Sequence, residues 1–266
     1  MKVGIIGFGA IGATLLRSLQ ADPSGVAKVA AVLVRASGLD RARSLVPHGI
    51  VVTSDFNAFQ GLGLGAVAEC AGHQGLAAYG PQVLAGGCDL VVASVGALAD
   101  PALEAALRAA AAIGGRLVIP AGAVGGLDVL GAARRAGLSE VRYISRKAPK
   151  AWVGTPAEQA VDLAALTEPA TVFTGTARAA ALSFPQNANV VAAVALAGLG
   201  FDLTQVTLVA DPRATGNRHL VEAEGTFGRI AIEVEGRTLP ENPKTSMLAP
   251  YSLARAVLNL DARVVI

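Results

Sequence analysis

The chain has 266 residues, 53% of them hydrophobic and 16% charged, with a net charge of +2, so it can bury a large core in one domain or two small ones. Its Lys and Arg residues are scattered, with no basic run longer than Arg134-Arg135 or Arg146-Lys147, which excludes nucleic acid as an expected partner. No apolar run of about 18 residues is free of breakers and charges, and a strand starting at residue 2 leaves no room for a signal peptide, so no membrane span is expected.

The first predicted strand, Lys2–Ile6, runs into Gly7-Phe8-Gly9-Ala10-Ile11-Gly12, and an apolar helical pattern (Ile11, Leu15, Leu16, Leu19) follows at once. Strand, tight turn and helix give G-x-G-x-x-G its meaning as a dinucleotide fingerprint. Gly7 permits the turn, Gly9 lets the backbone approach a pyrophosphate, and Gly12 lets the helix pack close to the strand. The helix N-terminus adds free N–H groups and a positive dipole end. Further strands are predicted at 29–34, 66–70, 90–93 and 117–119, with a short one at 50–53. Helices are predicted near 10–21, 40–46, 74–86 and 100–114. Alternating apolar strands and helices predict an α/β fold, a doubly wound parallel sheet of the Rossmann kind.

The second strand ends Val32-Leu33-Val34-Arg35-Ala36-Ser37, without the acidic residue that takes the ribose hydroxyls of NAD. Arg35 and Ser37 are instead candidates for a 2′-phosphate, so NADP binding is expected alongside NAD. The next three strands end in small-residue loops, Ala71-Gly72-His73-Gln74, Ser94-Val95-Gly96-Ala97 and Pro120-Ala121-Gly122-Ala123. A nicotinamide ring would lie over such loops. His73 is open among three roles: helix cap, cofactor contact, or none.

The pattern changes after Pro120. A Gly-rich turn and a helix lead into predicted strands at 140–145, 171–177, 206–209, 220–224 and 230–234, interrupted by a helix at about 185–199. This grouping predicts an α+β second domain with a mostly antiparallel sheet. Such a sheet has a face to cover, which a partner subunit would do. Residues 244–260 read as a further helix that returns to the first domain. The expected domains are residues 1–122 plus 243–266 for dinucleotide binding, and 123–242 for substrate binding and dimerisation.

Few residues are suited to chemistry. His48 reads as a surface-loop residue. His219, in Thr215-Gly216-Asn217-Arg218-His219, enters a strand. Histidine suits proton transfer near neutral pH, although the residues alone favour a structural role in the strand. In Ser183-Phe184-Pro185-Gln186-Asn187-Ala188-Asn189, Pro185 fits a first helical turn. Asn187 and Asn189 are then either surface residues or amides aimed at a carboxamide or carboxylate. Lys244, Thr245 and Ser246 precede a helix and would form a carboxylate site with its N-terminus, or simply cap it. Two cysteines, Cys70 and Cys88, give neither a disulfide framework nor zinc spacing, so a reduced, cytoplasmic setting and no metal are expected.

Taken together, GIIGFGAIG, IPAGAVGGLD, RKAPKAW, SFPQNANV, GNRHLVEAEGTFG and ENPKTSMLAPYS resemble the L-aspartate dehydrogenase family over most of the chain. Ala148 stands where that family often has Pro. The resemblance implies NAD(P)-dependent oxidation of L-aspartate to iminoaspartate, which water converts to oxaloacetate and ammonia, with a link to NAD biosynthesis. It implies His219 as the catalytic histidine of an N-x-H motif, and nicotinamide contacts at Ala123 and Asn189. It also implies a homodimer. Two other readings compete. One is a different Rossmann reductase, homoserine dehydrogenase-like or dihydrodipicolinate reductase-like. The other is a non-catalytic NAD(P)-binding redox sensor, against which His219 and the polar clusters argue.

Overall fold

A computed structural model describes residues 1–265, with the side chains of Pro243 and Lys244 outside that description. The chain divides into two compact units. One comprises Met1–Ser94, Pro101–Pro120 and Ala249–Ile266, and the other Val95–Asp100 and Ala121–Leu248. The expected boundaries at 122 and 243 therefore move to 120 and 248, and Val95–Asp100 groups with the second unit.

In the first unit the strands are β1 (Lys2–Ile6), β2 (Lys28–Leu33), β3 (Val51–Thr53), β4 (Ala66–Glu69), β5 (Asp89–Val92) and β6 (Leu117–Val118). The helices are α1 (Ala10–Gln20), α2 (Leu39–Leu45), α3 (Phe56–Gln60), α4 (His73–Ala85) and α5 (Pro101–Ile113). The six strands pair in parallel in the order β3-β2-β1-β4-β5-β6. The order reverses between β1 and β4, the switch point where such sheets bind ligands. The strands are apolar because both faces are covered. Val3 and Ile5 of β1 pack with Leu15, Leu16 and Leu19 of α1 and with Leu253, Ala254 and Val257 of the helix Leu248–Asn259. Helix α3 escapes the sequence reading because it is only five residues long. Asp55 fixes its start, accepting from the N–H groups of Asn57 (2.8 Å) and Ala58 (3.3 Å).

In the second unit, α6 (Leu127–Ala136) precedes β7 (Leu138–Lys147) and a short α7 (Ala157–Ala160). Strand β8 (Ala170–Thr176) runs into α8 (Ala177–Ser183) and then α9 (Ala188–Ala197). Strands β9 (Gln205–Ala210), β10 (Asn217–Gly225) and β11 (Gly228–Gly236) follow. The sheet order is β11-β10-β7-β9-β8, with the β7–β9 pair parallel and the others antiparallel. Helices α6 and α8 pack on one face, and α9 packs on both of them. Along β7 burial alternates, so Val141, Tyr143, Ser145 and Lys147 are buried while Arg142, Ile144 and Arg146 are only partly covered. Side chains two apart on a strand share a face.

Two expectations are corrected here. Residues 185–199 are not one helix. A 3-10 turn, Pro185–Asn187, precedes α9, and α8 stands before it where strand was expected at 177. Thr176 ends the strand by capping α8, accepting from the Ala179 N–H at 3.2 Å. Nor is 244–260 wholly helical. The chain first forms a small antiparallel hairpin of β12 (Thr238–Leu239) and β13 (Asn242–Ser246). Cross-strand pairing of Thr238 with Ser246 keeps this stretch extended, and α10 begins only at Leu248. Among the described residues no single helix is long and apolar enough to cross a membrane.

Candidate active site

The glycine turn of the first unit is shaped by three different constraints. Gly7 has φ +90°, and a Cβ there would stand 2.6 Å from the Cys70 carbonyl oxygen at the end of the neighbouring β4. A Cβ on Gly12 would stand 2.3 Å from the Gly7 oxygen, so α1 can lie this close to β1 only with glycine there. Gly9 faces open space: a Cβ would meet nothing within 4 Å. Gly9 is also the N-cap of α1 and supplies no side-chain cap, and the first turn carries no acidic residue. The result is a cradle of uncapped N–H groups at the positive end of a helix, which suits a phosphate. Phe8 and Ile11 turn their side chains onto the core, so with Ala10 they have main chain to offer a ligand.

The Gly7 N–H donates to the Leu33 oxygen at 2.8 Å. That bond ties the turn to the end of β2, two residues before Arg35. Arg35 and Ser37 are both exposed there, around the 3-10 turn Ala36–Gly38. Beside β1, the buried Glu69 ends β4. Its carboxylate accepts from the Ala71 N–H (2.7 Å), the Ser94 N–H (3.0 Å) and the Ser94 hydroxyl (2.9 Å). Glu69 thus stitches together the loops after β4 and β5. Burial pushes its carboxyl above the usual range, against the pull of those bonds. His73 opens α4 behind Gly72, which has φ +84°.

The second unit holds the titratable cluster. His219 lies on β10, 3% exposed, directly opposite Ser145 on β7. Tyr143, two residues along β7 on the same face, places its phenol 2.7 Å from His219 Nδ1, with the two rings nearly parallel at 15°. The Ser145 hydroxyl is buried with no hydrogen-bond partner among the described residues. Lys147 ends the same face of β7. Its Nζ donates to Asn187 Oδ1 at 2.5 Å and lies 5.7 Å from the centre of the Trp152 ring. Burial lowers the Lys147 ammonium to about 8. Burial, and then the Lys147 charge, lower the His219 imidazole to about 3. His219 is therefore neutral at physiological pH.

The remaining sequence candidates distribute as follows. Asn187 stands at the N-cap of α9 and is engaged by Lys147. Asn189 is exposed and its Oδ1 accepts from the Gly96 N–H at 2.9 Å. Ala123 is buried in the loop before α6. The Ser246 hydroxyl accepts from the Leu248 N–H at 3.3 Å, which is the capping alternative, and Thr245 lies beside it in β13. The Lys244 side chain lies outside the described residues. Sequence reasoning missed Tyr143, Lys147 and Glu69. One signal was there for Lys147: a lysine on the apolar side of an alternating strand needs a reason. Among the described residues no group of three or more His, Cys, Asp or Glu is placed to hold a metal.

Family models match both regions of the chain. A family model described as "Aspartate dehydrogenase, C-terminal" matches residues 128–260, and one described as "Homoserine dehydrogenase, NAD binding domain" matches residues 7–120. The chain is 46% identical over 264 residues to an L-aspartate dehydrogenase of Cupriavidus taiwanensis, with 97% of each chain covered. It is 44% identical over 267 residues to one of Ruegeria pomeroyi, with 99% of this chain and 94% of that one covered. Among solved structures it is similar to an aspartate dehydrogenase of Thermotoga maritima, at 27% identity and a TM-score of 0.76, covering 100% of this chain and 99% of that one. A homoserine dehydrogenase of Thiobacillus denitrificans, at 14% identity and a TM-score of 0.61 over 98% of this chain and 73% of that one, shares the fold.

Proposed function

The chain belongs to the L-aspartate dehydrogenase family, and we propose that it catalyses the reversible NAD(P)-dependent oxidative deamination of L-aspartate, giving iminoaspartate and then oxaloacetate and ammonia. The observation that carries this reading is His219, buried on β10, neutral, and held at Nδ1 by Tyr143.

The substrate arrives as an ammonium, and its α-hydride can leave only when the nitrogen has a free lone pair. A neutral imidazole is the proton-accepting form, and His219 takes that proton or one from the water that hydrolyses the imine. In the tautomer whose Nδ1–H donates to the Tyr143 oxygen, Nε2 carries the lone pair, and this is the tautomer the proton transfer needs. The main chain from Gly7 to Gly12, through Phe8, Gly9, Ala10 and Ile11, would hold the pyrophosphate. Arg35 and Ser37 would hold the 2′-phosphate of NADP, and Ala123 and Asn189 would orient the nicotinamide. A bound nicotinamide supplies the hydride acceptor. Asn187, Thr245, Ser246 and Lys244 are the remaining candidates for the substrate carboxylates. The reading extends to a cytoplasmic homodimer serving NAD biosynthesis. Unpaired Cys70 and Cys88 support the compartment.

A spectrophotometric screen of amino acids with both coenzymes tests the reaction. Reduction of NAD or NADP with L-aspartate is expected. Turnover of a different amino acid, or of none, would refute the proposal.

A further inference from the structure

Lys147 is a buried cation without an anion. It is 8% exposed, and among the described residues its one hydrogen-bond acceptor is the neutral Asn187 amide. Three donors meet one acceptor, and Trp152 adds only a ring face. The neighbouring arginines on the other face of β7 are treated differently. Arg146 has Asp211 at 3.0 Å, and Arg142 has Glu140 at 2.8 Å with Glu222 and Glu224 at 3.5 Å. Structural cations in this sheet are given carboxylates. A charge buried without one destabilises the fold unless something else supplies the counterion.

We propose that Lys147, with the Asn187 amide beside it, anchors one carboxylate of the dicarboxylate substrate. The proposal rests on the reading above, that the substrate is L-aspartate. The register supports it. His219 faces Ser145, so Lys147 is its diagonal neighbour on the same sheet face, and such backbones stand about 7–8 Å apart. A four-carbon dicarboxylate reaches from one side chain to the other. A carboxylate on Lys147 would supply the missing negative charge and present the carbon chain to the imidazole. It would also offset the Lys147 charge that disfavours a proton on His219. Asp211, whose N–H donates to the Lys147 carbonyl, directs its carboxylate to Arg146 at 3.0 Å on the other face.

The test uses two variants and one non-reacting probe, succinate, with the coenzyme present. Lys147→Met is expected to raise the KM for aspartate and the inhibition constant of succinate by about 10- to 150-fold, the range for one charged hydrogen bond, while coenzyme affinity stays the same. Its unliganded Tm is expected to equal or exceed that of the parent, because an uncompensated charge is gone. Asn187→Asp places a carboxylate against Lys147 inside the protein. It is expected to block succinate binding without loss of Tm, and it decides the matter if Lys147→Met does not fold. The proposal is overturned if aspartate KM and succinate inhibition in the variants stay within about threefold of the parent. It is also overturned if Tm and coenzyme affinity fall together while succinate still binds. A parent enzyme that turns over no aspartate would instead sink the functional reading itself.

Discussion

At the scale of single residues, burial decides what His219 can do. Desolvation keeps the imidazole neutral, an anion brought close raises its affinity for a proton, and removing the imidazole should be costly to chemistry. Replacing His219 with Ala is expected to lower aspartate-dependent turnover by about 10²–10⁴-fold, the usual contribution of a general acid–base group. Activity within about tenfold of the parent would remove His219 from the mechanism. Burial has a second, thermodynamic readout. The unfolded chain protonates this histidine near its ordinary 6.5, whereas the folded protein does so only near 3. Between those values the unfolded state binds more protons, so stability conferred by His219 is complete above 6.5 and is lost as the pH falls toward 3. Urea unfolding at pH 7 and pH 5 should show a smaller pH-dependent loss in His219→Gln than in the parent. An equal loss in both would mean that His219 is not the group responsible. Motif resemblance singled out His219 in the sequence, and the polar cluster ahead of α9 singled out Asn187. It did not name Tyr143 or Lys147, because their importance lies in the pairing of β7 with β10, 76 residues apart at the Tyr143–His219 bond. No local pattern records such a pairing.

At the scale of elements, the parts with strong local rules were legible and the parts settled by competition were not. Strand β1, the glycine turn and α1 follow from apolar spacing and from the positions where a Cβ does not fit. The hairpin of β12 and β13 was hidden, because Lys244-Thr245-Ser246 ahead of an apolar run looks like a helix start. Cross-strand pairing, such as Thr238 with Ser246, wins instead. The loop after β2 makes a cleaner prediction. Arg35 and Ser37 are exposed with no acidic residue among them, so that loop should favour the coenzyme with the extra phosphate. Arg35→Asp is expected to weaken NADP binding by about tenfold or more, the scale of one charge-assisted contact, and to leave NAD binding little changed. Titration of both coenzymes checks this, and equal loss for the two would exclude a phosphate role.

At the scale of the whole molecule, the outer face of the second sheet is the part least explained by the chain alone. Ile144 and Leu220 lie half-buried on that face, among Arg142, Glu222, Glu224 and Arg229, which are joined in ion pairs. A homodimer would cover it. Light scattering is then expected to give twice the 26.7 kDa chain mass, and a monomer across the micromolar range would refute the dimer. The division into units carries a consequence for biosynthesis. Leu253, Ala254 and Val257 complete a core begun by Val3, Ile5 and Leu15, yet the residues of the second unit are made in between. On the ribosome, the nucleotide-binding sheet must wait with one flank bare until α10 emerges. A nascent chain stopped before Leu248 would therefore be a client for chaperones and proteases, however complete its glycine turn.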